Sequence, residues 1–74
     1  MDLELTKLKV MILGDGRSAT QIAASAGIHP STLSEYALGK RAYRQKDLQK
    51  LCVEFSCEPD AIVGWYQFTY SNED

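Results

Sequence analysis

The chain is predicted to be all-α: one compact domain of five short helices with a short C-terminal extension. Three observations predict it. Apolar residues recur at i, i+3 and i+4 through most of the chain, the period of a helix with one buried face. Each such run ends at glycine or is reopened by proline, the residues that stop and start helices. Finally, 74 residues suffice for a single hydrophobic core and not for two.

Leu5, Leu8 and Ile12, with Val10, Met11 and Leu13, predict a first helix of about ten residues, closed by Gly14-Asp15-Gly16. Ser18 is a natural N-cap for the second helix, and Gln21 three residues on completes a capping box. Ile22, Ala23 and Ala26 form its inner face. Gly27 can take the left-handed conformation that ends a helix, and Ile28 can turn back into the core. His29 is placed to cap helix three, with Pro30 at the first helical position, where its missing N–H costs nothing. Leu33, Tyr36 and Ala37 share the inward face, and Gly39 closes the helix.

Lys40–Lys46, "KRAYRQK", reads as a basic loop. Helix four starts near Lys46, with Leu48, Leu51, Cys52 and Phe55 inward and Asp47 at the positive end of its dipole. Pro59 opens an expected fifth helix, "PDAIVGW". In the tail "WYQFTYSNED", Tyr66, Phe68 and Tyr70 alternate like a strand, although helix five could also run on into it.

Nearly half the residues are apolar (45%) and a quarter charged (24%), which places the chain among folded globular domains. No apolar run approaches the roughly 20 residues of a membrane helix. The opening "MDLELTKLK" lacks the basic-then-apolar layout of a signal peptide, so a cytoplasmic protein is expected. Cys52 and Cys57 are expected to be reduced, since no Cys/His cluster at zinc-ligand spacing surrounds them. The net charge of −2 is unevenly placed. Residues 17–50 hold six Lys/Arg against two acids, net +4, whereas the remainder hold two against eight, net −6. Such a basic stretch can steer a polyanion although the whole molecule is acidic.

Two short helices joined through a glycine turn form the helix-turn-helix layout, whose second helix enters the DNA major groove. Ala23 must be small where the helices cross, Gly27 must accept the turn, and Ile28 and Leu33 fill the angle. "SATQIAASAGIHPSTLSEYALGKR" resembles the helix-turn-helix of Cro/phage-repressor (XRE-like, lambda-repressor-like) DNA-binding domains, and "DLQKLCVEFSCEPDAIVGW" resembles their fourth and fifth helices. The resemblance implies a lambda-repressor-like domain over residues 1–65 that binds double-stranded operator DNA as a homodimer and regulates transcription. Residues 66–74 are then a tail that serves as a strand or a dimer contact.

Carried over position by position, the resemblance puts base contacts on His29, Pro30, Ser31, Thr32 and Glu35. It puts phosphate contacts on Ser18, Ala19 and Lys40 with the basic loop that follows, and Thr20 joins Ala19 through its backbone N–H at the start of helix two. Arg17, Arg41, Arg44 and Lys46 join these as flanking cations. The family's frequent phosphate-clamping Gln is absent at Ala19, and Glu35 sits where Gln, Arg or Lys is common. Ile12 and Ala37 are apolar where some members keep a buried Arg–Glu pair. Backbone N–H groups at the start of helix two can still hold phosphate. Trp65, Tyr66, Phe68 and Tyr70 are the expected dimer surface, because large exposed rings are enriched at interfaces.

Plainer readings stand beside these. His29 can be only a cap; Ser31, Thr32 and Ser34 can be a solvated face; the basic loop can serve solubility. Glu35 can be a plain surface charge or half of a salt bridge with Arg41 or Arg17, and the tail aromatics can cover their own core. A protein-interaction module on the same fold, antitoxin-like or anti-repressor, is the rival function. Enzymatic chemistry is not expected, and neither is a metal or cofactor: no nucleophile–base pair, Gly-rich phosphate loop or metal spacing is present.

Overall fold

The structure, a computed structural model, describes residues 2–69. Strand β1 (Asp2–Thr6) leads into helices α1 (Lys7–Asp15), α2 (Ala19–Ala26), α3 (Pro30–Ala37) and α4 (Gln45–Phe55). A single 3-10 turn, Pro59–Ala61, follows, and strand β2 (Trp65–Thr69) returns antiparallel to β1, with Leu5 opposite Tyr66 and Thr6 opposite Trp65.

The all-α, five-helix expectation is therefore corrected in two places. The first helix starts at Lys7, and Leu5 belongs to β1. "DLELT" alternates polar and apolar residues with period two, a strand signal overshadowed by the helical spacing of Leu5, Leu8 and Ile12. Thr6 marks the change of conformation. Its hydroxyl accepts from Lys9 N (3.0 Å) as the N-cap of α1 and donates to the carbonyl of Ala37, which locks the start of α1 against the end of α3. The expected fifth helix is only a 3-10 turn among the described residues. Pro59 opens it, but the chain must turn at Gly64 (φ 111°) to enter β2, leaving no room for a second turn. Ile62, wholly buried, still closes the core at that end.

The helix boundaries otherwise follow the sequence. Ser18 accepts from Gln21 N while Gln21 Oε1 accepts from Ser18 N, a reciprocal capping box at the head of α2. Gly27 (φ 77°, ψ 34°) ends α2, and Ile28 N donates to Ala23 O at 2.9 Å as the chain turns. Lys50 of α4 reaches across to the Gly27 carbonyl (3.2 Å). The core is built from Leu8 and Ile12 of α1, Ile22 and Ala23 of α2, Leu33, Tyr36 and Ala37 of α3, and Leu51 of α4, with Ile28 and Ile62 closing its ends. Leu48, Cys52 and Phe55 are half-buried against it, so the inward face of α4 is as the spacing predicts.

Cys52 and Cys57 are free and half-buried; burial, and then its neighbour Cys52, push the Cys57 thiol up. Among the described residues no helix is long and apolar enough to cross a membrane.

Candidate nucleic-acid interface

The candidate surface begins where α3 begins. His29 caps the helix through its ring: Nδ1 accepts from Ser31 N at 3.1 Å. A neutral ring accepting at Nδ1 carries its proton on Nε2. Pro30 takes the first helical position, as its fixed φ favours. His29, Pro30 and Ser31 are exposed, and Thr32 and Glu35 are half-buried. Leu33, Tyr36 and Ala37, the opposite stripe of the same helix, are buried. One face of α3 thus anchors it while the other offers short hydroxyls, an imidazole and a carboxylate.

The basic loop is held by α3 rather than loose. Arg41 Nε donates to Glu35 Oε1 at 2.7 Å. Tyr43 stacks on Tyr36 with ring centroids 4.7 Å apart, and Arg44 N donates to the Tyr36 hydroxyl (3.4 Å). That hydroxyl in turn donates to Asp47 at the first turn of α4 (2.5 Å). Burial, reinforced by the Asp47 contact, raises the Tyr36 hydroxyl above its ordinary range, and burial pushes Tyr43 up to about 12. Both phenols therefore remain neutral donors under ordinary conditions. The cations of Lys40, Arg41, Arg44 and Lys46 are exposed around this framework.

At the head of α2, Ser18, Ala19 and Thr20 are exposed; Ser18 N is taken by Gln21 Oε1, so the backbone N–H groups that can meet an anion there are those of Ala19 and Thr20. Arg17 is differently placed. It bonds Asp15 (2.6 and 3.1 Å) and Glu54 of α4 (2.7 Å), so any phosphate must compete with two carboxylates for it. Of the expected dimer residues, Trp65 and Tyr66 are 55% and 42% exposed. Tyr70 lies outside the described residues, as does the side chain of Phe68. Trp65 also covers part of its own domain, its ring lying against Gly39 at the end of α3.

Four contacts were not foreseen from the residues: Asp47 as the acceptor for Tyr36, Tyr43 as the anchor of the loop, and Asp15 and Glu54 as partners of Arg17. A lone aromatic inside "KRAYRQK" is the one signal that pointed to such an anchor.

A family model described as helix-turn-helix matches residues 13–62. The chain belongs to that family, in its Cro/phage-repressor form. The helix-turn-helix family is a DNA-binding one rather than an enzymatic one, and the class of function that follows is a DNA-binding regulator. β1 and β2 lie outside the matched helix-turn-helix segment. No curated protein and no solved structure gives a significant match to the chain.

Proposed function

We propose that this protein is a sequence-specific transcriptional regulator, repressor-like and of phage or mobile-element type, that acts in the cytoplasm as a dimer with α3 in the major groove of operator DNA. The observation that carries this reading is the exposed start of α3, set by a capped and packed helix and followed by a tethered loop with the exposed cations Lys40, Arg41 and Arg44, and by Lys46 in the first turn of α4. Residues 1–65 form the DNA-binding unit and residues 66–74 the contact segment.

Ser31 and Thr32 contact base edges but discriminate less than a bidentate Arg–guanine pair. His29 adds its Nε2 donor and Pro30 an apolar contact. Ala19 and Thr20 hold phosphate through backbone N–H groups, with the Ser18 hydroxyl beside them, and Lys40, Arg41, Arg44 and Lys46 release counterions from the flanking strands. Arg17 joins them only by leaving Asp15 and Glu54. Because single contacts are modest, two half-sites are needed to approach a typical specific affinity of about 10⁻⁸ M. Trp65, Tyr66, Phe68 and Tyr70 supply the dimer contact.

Selection from random duplexes at near-physiological salt, followed by titration of variants, tests the reading. Arg44→Ala should weaken all sequences alike and reduce the salt slope by about one. Ser31→Ala should change sequence preference instead. Binding that does not respond to salt would refute it. Sedimentation of Trp65→Ser and Tyr66→Ser tests the dimer surface, since both should be monomeric where the parent is dimeric.

A second reading is favoured by the Glu35 carboxylate on the same face, the net charge of −2 and the exposed Trp65 and Tyr66: a protein-binding module that does not read DNA. A stable complex with a protein partner, with no retardation of any duplex, would select it.

A further inference from the structure

A carboxylate on the groove-facing side of α3 is electrostatically opposed to a polyanion, yet Glu35 is neither buried nor bare. We propose that Glu35 and Arg41 act as one reading unit: Arg41 neutralises the carboxylate and holds it as an acceptor for the N4 amino group of a cytosine in each half-site. This rests on the DNA-binding reading above and assigns one of its base contacts.

The pairing is built by the turn that ends α3. Residues six apart on a continuous helix do not face each other. Here Lys40 N bonds the Glu35 carbonyl (2.9 Å) and Gly39 takes φ 74°, which reverses the chain so that Arg41 returns beside Glu35. Gly39 is further covered by the Trp65 ring, and the loop beyond is fixed by the Tyr36–Tyr43 stack. Arg41 therefore meets Glu35 from a supported loop.

The contact uses only part of each group. Arg41 Nε donates to Oε1, while among the described residues nothing bonds Glu35 Oε2 or the two outer nitrogens of Arg41. Oε2 is left to accept from a base, and the outer N–H groups are left to grip a phosphate. Arginine, whose planar fork can serve two acceptors at once, suits this division, whereas lysine presents a single compact charge. The pair has little value as a staple: the side chains are 43% and 38% exposed, and exposed ion pairs add little to stability. Glutamate accepts from cytosine N4, and glutamine pairs with adenine N6 and N7.

The test titrates the full chain and its Glu35→Gln, Arg41→Ala and Arg41→Lys variants against duplexes carrying each base at every position of the selected site. One position per half-site should favour cytosine on the strand facing α3, by on the order of tenfold. Glu35→Gln should move that preference toward adenine. Arg41→Ala should erase it at the same position and reduce the salt slope, and Arg41→Lys should restore the salt slope more fully than the preference. The proposal is overturned if Arg41→Ala weakens every duplex equally while cytosine remains favoured, or if Glu35→Gln leaves all preferences intact. If the parent chain selects no sequence at all, the DNA-binding reading itself fails, and this inference with it.

Discussion

At the scale of single residues, the surface is shaped by which charges are already paired. Arg17 illustrates this: from sequence it is one more cation beside a helix start, but its guanidinium is shared between Asp15 and Glu54. Hydrogen bonds from Arg17 are the main reason both carboxyls lie below their ordinary range. A carboxyl whose folded pKa is depressed adds stability that is complete above its unfolded value, about 4, and disappears as pH falls through the folded value. Arg17→Ala should therefore be less stable than the parent at pH 7, with the gap closing by about pH 2. Urea melts at the two pH values check this, and a gap that persists in acid would show that Arg17 acts by packing. Glu35 and Arg41 show the other possibility, a pair with unused acceptors and donors on the exposed side.

At the scale of elements, the start of α3 is readable because capping is local. Ser18, Gln21, Gly27, His29 and Pro30 act on backbone within a few residues, so sequence spacing alone specifies them. The loop that follows is not local. Its position depends on Tyr36, whose hydroxyl joins α3, the backbone of Arg44 and the head of α4. Tyr36→Phe keeps the ring in the core but removes that hydroxyl, leaving half-buried Asp47 without its donor. Loss of a hydrogen bond to a charged group costs about 1.5–3 kcal/mol, which denaturant titration should detect. The same variant should weaken DNA binding beyond the effect of stability, because the cations at 40–44 lose their anchor. Gel retardation at a temperature where the variant is fully folded measures that separately.

At the scale of the whole molecule, the polarised charge places the basic residues on the middle helices and their loop, while the acids gather in the flanking segments. The two ends of the described chain meet in the β1–β2 ribbon, which the matched family segment does not include. Among the described residues, every buried side chain except Thr6 lies between Leu8 and Ile62. A chain ending at Gly64 should accordingly keep its far-ultraviolet helix signal but melt at lower temperature, since β1 loses its partner and Gly39 its Trp65 cover. Collapse of the helix signal at 25 °C would show that the ribbon is required for the fold.

The sequence by itself determined α2, the turn, α3 and the inward face of α4, because helical periodicity and caps are written within one or two turns of chain. It also placed the cations and hydroxyls on one segment. Only the tertiary structure decided that Leu5 enters a strand, that "PDAIVGW" makes a single 3-10 turn, that Tyr43 anchors the loop and that Arg17 is engaged by Glu54. The strand and the Arg17–Glu54 pair depend on partners distant in sequence, and the Tyr43 stack on contact across a turn, so the free energy that selects them comes from packing and charge between elements.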